Sequence, residues 1–284
     1  MALAAAASAP PPANAQDGLP QFRDPALRRV RPDLGPRQVV RFLTSADWPP
    51  FQFLAPDGSP TGFNADLARA LCEELGLSCT LQAQPWQDLV PALQKGQADA
   101  VIAGFRPNAD LEQQVLLTQV YFRLPARFAV RRDSPLGDAV PESLAGKSIA
   151  VVSGSAHEAY LNAFFRRSTV EAFPDEAAAL AALQAGHADA LFGDGVTLAR
   201  WVGGAASGGC CRLAGGPYLE SRFFGEGMAI AVPLADVRLR AALDYALSDI
   251  EAKGTMAELY LRWFPVGLFD RGTAQPVDAT KRAP

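Results

Sequence analysis

The sequence predicts an α/β protein built from two doubly wound lobes. Three observations carry this. The order strand-helix-strand-helix-strand, with short links, runs from Val39 to about Gly104 and again from Ser148 to about Gly195. Such alternation implies parallel strands with crossover helices. The two stretches also share a signature. "ALQKGQADA" (Ala92–Ala100) and "ALQAGHADA" (Ala182–Ala190) agree at seven of nine positions, 90 residues apart. Finally, the segment that begins at "GMAIAVP" holds a strand and two helices but no new unit, so it must return to complete one of the two lobes.

Each element has a local reason. "VVRFLT" (Val39–Thr44) is β-branched and apolar and is ended by "SADWPP", the pattern of a strand. In "NADLARALCEELG" Asn64 suits an N-cap, Leu67, Ala70, Leu71 and Leu75 fall at helical spacing, and Gly76 suits the left-handed stop. "SCTLQAQ" reads as a strand, "WQDLVPALQKG" as a helix and "ADAVIAG" as a buried strand. In the second unit "SIAVVSG", "TVEAFP" and "ADALFGDG" are strands, separated by helices in "AHEAYLNAFFRR" and "DEAAALAALQAG". Each nonapeptide is therefore the last helix, its terminal glycine and the returning strand of one lobe. Gly96 and Gly186 stand where a positive φ is needed. Asp99 and Asp189 are expected to accept backbone N–H bonds at the turn, a structural role. "LADVRLRAALDYALSDIEAKG" is a long amphipathic helix and "TMAELYLRWF" a last one, before a polar tail over 270–284.

The 284 residues are 49% hydrophobic and 20% charged, with net charge −4, an ordinary globular composition. No Lys/Arg-dense stretch is interleaved with aromatics, which argues against a nucleic-acid partner. No apolar run reaches the roughly 18 residues of a membrane span. The opening "MALAAAASAPPPANAQDG" has a short apolar stretch and a small-x-small site at Ala13–Ala15, like the tail of an export signal; a plain Ala/Pro leader is the alternative. Of the four cysteines, Cys72 and Cys79 bracket a helix end, a turn and a strand start, so a bridge there would staple a helix to its next strand. Cys210 and Cys211 are adjacent, either a vicinal bridge or two free thiols. No CxxC or Cys/His pattern suggests zinc, and no other metal or cofactor motif is present.

In open parallel sheets, ligands sit beyond the carboxyl ends of the strands. The residues there are Ser45, Trp48, Phe51, Gly104, Arg106, Ser153, Gly154, Ser155 and Asp194. They offer an aromatic wall, a cation from one lobe, an anion from the other, and helix N-termini. Such a set suits a small zwitterion, its carboxylate at helix N-termini and its ammonium at Asp194 or on the face of Trp48. A catalytic reading is thinner. Ser155 and His157 stand too close on one helical turn to act as nucleophile and base. "GSAHE" lacks the second glycine of a nucleophile elbow. No catalytic residue is assigned.

With these residues in view, the chain resembles the bacterial family 3 solute-binding proteins, the polar amino-acid receptors of ABC importers. The resemblance spans about residues 38–267. It rests on the ordered set "SADWPPF…GFNADLARALCEELG", "ALQKGQADAVIAG", "LAGKSIAVVSGSAHE", "GHADALFGD" and "GTMAELYLRWF". It implies a periplasmic binding protein-like II fold: two α/β lobes joined by two hinge strands, with a ligand cleft between. Lobe 1 would be residues 38–124 plus 225–267 and lobe 2 residues 125–224. Residues 1–37 would be a leader and arm, and 268–284 a tail. It implies an exported, monomeric receptor with a small amino-acid-like ligand and an ABC permease as partner. Some members carry a disulfide at the position of Cys72 and Cys79. Carried over by position, Trp48 stacks on the ligand, opposed by Trp86 or its neighbours. Gly104 and Arg106 meet its carboxylate, Ser155 and Ala156 form the second-lobe anion contact, and Asp194 takes the α-ammonium. One departure stands out: where the family usually has an arginine, five residues beyond Arg106, this chain has Leu111. Some periplasmic dehydratases share the fold, so an enzyme is the alternative, and a ligand-sensing module a third reading.

Overall fold

Chain order in the computed structural model, which describes residues 31–264 and 267–270, follows the expected alternation closely. The expected leader over 1–30 and the tail beyond 270 lie outside the described residues. Strand β1 (Val39–Thr44) leads into three short strands, β2 (Asp47–Trp48), β3 (Gln52–Leu54) and β4 (Pro60–Thr61), which pair as a small antiparallel sheet. Helix α1 (Phe63–Leu75), β5 (Ser78–Ala83), a single 3-10 turn at Trp86–Asp88, α2 (Leu89–Gln94) and β6 (Ala100–Phe105) complete the first unit. Short elements α3 (Ala109–Glu112) and β7 (Leu116–Leu117) precede β8 (Ala126–Arg131). The second unit is β9 (Ser148–Val152), α4 (Ala156–Phe164), β10 (Thr169–Phe173), α5 (Glu176–Ala185) and β11 (Ala190–Asp194). It is followed by α6 (Gly195–Gly203), β12 (Cys211–Tyr218) and α7 (Ser221–Phe224). The chain then runs through β13 (Ala229–Val232), α8 (Val237–Ala252) and α9 (Thr255–Trp263).

Two five-stranded sheets form, one per lobe, with orders β5-β1-β6-β13-β7 and β10-β9-β11-β8-β12. The first three strands of each are parallel, as expected. The fourth is not: β13 runs antiparallel to β6, and β8 antiparallel to β11. The expectation of parallel strands covered the two β-α-β-α-β units and holds there, while the fourth strand of each sheet lies outside those units. Both strands are the first that the chain builds after crossing between lobes. A strand arriving from the cleft side enters against the strands whose carboxyl ends face that cleft. The two crossing segments meet at a bridge between Phe122 and Met228, with Met228 N–H donating to Phe122 O at 2.7 Å. An ion pair, Arg123 with Glu226 at 3.7 Å, lies beside it.

The repeated nonapeptide has one structural job in both lobes. Asp99 Oδ2 accepts from Arg41 N–H at 2.8 Å, and Asp189 Oδ2 accepts from Ser148 N–H at 3.0 Å. Each aspartate thus clips the returning strand to the first strand of its own β-α-β-α-β unit. Around Asp99, burial pushes the carboxyl up, but the hydrogen bonds and charge of Arg41 outweigh it and hold the pKa below the usual range.

Asn64 is not the N-cap of α1. The helix starts at Phe63 after Gly62, and Asn64 is fully buried inside it. Its side chain donates to Gln52 Oε1 at 2.6 Å and accepts from Tyr121 O–H at 2.9 Å. Gln52 in turn donates to Ser45 Oγ and to Ala103 O. A polar residue read as a cap instead anchors a buried network beneath the cleft, where leaving any member unpaired would be costly.

Cys72 and Cys79 are bridged, Cα atoms 6.0 Å apart, tying α1 to β5. Cys210 and Cys211 form a vicinal disulfide at the start of β12. The fold also runs further along the chain than expected. Leu268 and Phe269 are buried, and Arg127 of β8 donates to Leu268 O at 2.5 Å and to Gly215 O at 2.9 Å. No helix of the described residues is long and apolar enough to cross a membrane.

Candidate functional site

The carboxyl ends of β1 and β6 carry the first-lobe side of the cleft. Gly104, at the end of β6, has φ 84°, and a Cβ there would sit 2.5 Å from Trp48 Cζ3 and 3.0 Å from Met228 Sδ. Only glycine lets the Trp48 ring lie this close to the strand. Trp48 also rests on Phe51, ring centroids 4.6 Å apart. Trp86, 47% exposed, meets Phe105 edge-on at 4.8 Å. Between them opens a cavity of about 530 Å³ lined by Trp48, Trp86, Gln87, Val90, Gly104, Phe105, Arg106, Asn108 and Leu111. On the other side of Trp86 a second cavity of about 360 Å³ includes Ser45, Asp47, Leu54 and Gln84 in its lining.

Four of the residues singled out in the sequence, Trp48, Trp86, Gly104 and Arg106, therefore share one cavity. Leu111 shares it too, at the place where the family's arginine is expected. Phe51 does not belong there. It is fully buried and packs against Phe63, Phe122 and Phe264, with centroids 5.3–6.1 Å away. An aromatic beside two prolines reads the same whether it faces core or cleft, and packing decides. Ser45 is also buried, held by Gln52, and touches only the second cavity.

Second-lobe candidates are helix caps. Ser155 caps α4: its hydroxyl accepts from Glu158 N–H at 3.1 Å and donates to Val152 O at 2.7 Å. That proton is directed at the backbone rather than at His157, so the pair is not arranged as nucleophile and base. Ala156 is exposed at the first turn of the helix. Asp194 caps α6, with Oδ1 accepting from Thr197 N–H at 2.8 Å. A carboxylate cap held this way is fixed in direction and keeps its second oxygen for another partner.

His157, not assigned a ligand role from sequence, packs among second-lobe aromatics. Its ring stacks on Phe224 at 5.3 Å and meets Phe192 edge-on at 5.6 Å. Burial lowers its pKa, Asp194 of its own lobe raises it, and Arg106 of the first lobe lowers it again. Both cleft charges thus act on one imidazole. Glu176, at the start of α5, is raised by burial and by the same Asp194. The only sequence sign of His157's place was its position just after "SGSA", at a strand's carboxyl end. Among the described residues no group of three or more His, Cys, Asp or Glu comes together that could hold a metal ion.

Two α/β lobes with crossed-over fourth strands, two connecting segments and an aromatic- and charge-lined cleft define a two-lobed solute receptor. The chain belongs to the bacterial extracellular solute-binding proteins, family 3, whose family description matches residues 40–266. It is similar to the L-arginine-binding protein of Pseudomonas aeruginosa, 29% identical over 240 residues, covering 84% of this chain and 92% of that protein. It is 26% identical over 234 residues to the histidine-binding periplasmic protein of Escherichia coli, covering 82% and 90%. Among solved structures, an ancestral cationic amino acid solute-binding protein matches with TM-score 0.61 and 26% identity, covering 80% of this chain and 96% of that one. The open second substrate-binding domain of GlnP from Lactococcus lactis matches in fold, with TM-score 0.70 and 20% identity, covering 84% and 99%.

Proposed function

We propose that this protein is the periplasmic receptor of an ABC importer for a cationic or other zwitterionic amino acid, and that it binds its ligand without transforming it. The observation that carries this reading is the cavity between Trp48 and Trp86 with Arg106 in its wall, set in a cleft whose other lobe presents Asp194. The ligand's carboxylate pairs with Arg106 and its α-ammonium with Asp194, while Trp48 and Trp86 cover its apolar stem. Leu111 supports this assignment, because the usual arginine position offers no charge; the other reading of Leu111 is a ligand that is not an ordinary α-amino acid. Ser155 and Ala156 contribute the α4 N-terminus, whose dipole favours an anion. Relatives named for arginine and histidine binding support the ligand class. Lobe 1 is residues 38–124 with 225–267, lobe 2 is 125–224, and the receptor acts as a monomer that delivers to a membrane permease.

Isothermal titration with L-arginine, L-lysine, L-histidine and L-glutamine tests it. At least one should bind saturably and be recovered unchanged. No heat and no thermal shift with any of them, or with a wider amino-acid panel, would overturn the ligand class. Consumption of an offered acid such as prephenate or arogenate, abolished in His157→Gln, would favour the dehydratase alternative.

A further inference from the structure

The two disulfides are not alike. Cys72 and Cys79, seven apart in sequence, tie a helix to a strand. Cys210 and Cys211, one apart, tie no two elements together. The chain entropy a bridge removes grows with the logarithm of the loop it closes, so the adjacent pair stabilises the fold about half as much. Backbone hydrogen bonds hold its segment without it. Cys210 N–H donates to Ser207 O at 3.1 Å, Arg132 N–H donates to Cys210 O at 2.8 Å, and Cys211 stands in register with Arg131 where β12 pairs with β8. Ser207, fully buried, organises the loop before the bridge. Its Oγ donates to Gly204 O and accepts from Gly209 N–H, each at 3.1 Å.

Adjacency also makes the bond reactive. The peptide itself fixes neighbouring Cα atoms about 3.8 Å apart, and here they are 3.7 Å apart. An ordinary disulfide spans about 4.4–6.8 Å between its Cα atoms. A bridge across a single peptide is therefore closed against the covalent geometry of the chain, and such bridges are more readily reduced. Its surroundings admit a reductant from one side. Cys211 is fully buried, whereas Cys210 is half-buried and follows two exposed glycines, Gly208 and Gly209. A Cβ on Gly209 would meet nothing within 4 Å, so the space beside Cys210 is open. Arg132, exposed, reaches over the same turn, with Nε donating to Gly209 O at 2.7 Å. Its charge favours an approaching thiolate.

We propose that Cys210–Cys211 is a redox-modification site of the folded protein, opened by a dithiol. One thiolate of the dithiol attacks Sγ of Cys210, the accessible end. A mixed disulfide forms, the Cys210–Cys211 bond breaks, and Cys211 leaves as a thiolate that takes up a proton. The second thiol of the dithiol, losing its proton, then attacks the dithiol's own sulfur in the mixed disulfide and expels Cys210, which is protonated in turn. The dithiol ends as a disulfide, and two electrons and two protons have passed to the cysteine pair. The change is local. It frees the peptide that joins the loop over 204–209 to β12, where Cys210, Trp201 and Val202 pack against one core cluster. It holds whether or not the cleft binds an amino acid.

The test equilibrates the oxidised protein with buffers of graded reduced-to-oxidised dithiothreitol ratio, then maps alkylated peptides and reads the melting temperature at each ratio. Cys210 and Cys211 should become alkylatable at a ratio at least about tenfold lower than Cys72 and Cys79. With only that pair open, the melting temperature should fall by no more than about 4 °C. Coincident opening of both pairs, or earlier opening of Cys72–Cys79, overturns the proposal. So does loss of the folding transition as Cys210–Cys211 opens, or the discovery that these two thiols are already free in the oxidised protein.

Discussion

Gly104→Ala is the sharpest perturbation of the cleft. The added methyl would meet Trp48 Cζ3 at 2.5 Å, against about 3.5–4.0 Å for comfortable carbon contact. Trp48 must therefore retreat by about 1 Å, into the space that the ligand would use. Met228 Sδ at 3.0 Å closes the other escape, and Met228 pairs with Phe122 at the lobe crossing. The backbone adds its own cost. At φ 84° a side chain costs about 1–2 kcal/mol relative to glycine. In a chain this size each kcal/mol lowers the melting temperature by about 2–4 °C. We expect a drop of several degrees together with an affinity loss of at least about tenfold, since displacement of an aromatic wall removes its contact with the ligand. Calorimetric titration with the ligand identified in the screen, alongside thermal unfolding, measures both. If Gly104→Ala loses stability but binds like the parent, Trp48 does not stack on the ligand and the cavity is not the site.

Arg106→Ala and Asp194→Ala should each weaken binding about tenfold to a hundredfold, the worth of a charge-assisted bond, as read by titration. Because Asp194 also caps α6, Asp194→Asn, which keeps an acceptor for Thr197 N–H, should lose affinity with little loss of melting temperature. Non-reducing peptide mapping of oxidised, exported protein should recover Cys72–Cys79 and Cys210–Cys211 as linked pairs; alkylatable thiols at Cys72 and Cys79 would refute the staple. His157 has its folded pKa lowered, so the unfolded chain takes its proton first as pH falls. Its contribution to stability is present above the ordinary histidine pKa of about 6.5 and is lost below it. Melting temperature should therefore fall between pH 7 and 5, and His157→Phe should flatten that slope. Glu176, raised by burial, acts in the opposite sense from its ordinary pKa upward, so an unchanged slope in His157→Phe would place the effect elsewhere.

Much of the architecture was legible because its causes are local. Apolar periodicity, Gly76, Gly96 and Gly186 at helix ends, and the turn aspartates Asp99 and Asp189 act within a few residues or within one strand pair. The short span between Cys72 and Cys79 likewise made their bridge readable. The candidate site was only partly legible. Trp48, Trp86, Gly104 and Arg106 share a cavity because each stands at or just beyond a strand's carboxyl end on one lobe. Phe51 has the same local signature and belongs to the core. Ser155 and Asp194 are readable as helix starts, but which of their oxygens remain for a ligand depends on cap geometry.

The sequence by itself determined the two α/β units, their order, their turn chemistry and the residue types brought to the strand ends. Tertiary structure decided what depends on partners far along the chain. It set the direction of β8 and β13, because the chain enters each lobe from the cleft. It turned Asn64 inward to Gln52 and Tyr121 rather than onto a helix end. It set His157 against Phe192 and Phe224, and placed Arg200 against Pro49. Local propensity acts over one turn or one strand, whereas these contacts exist only once two separately built sheets face one another across a cleft.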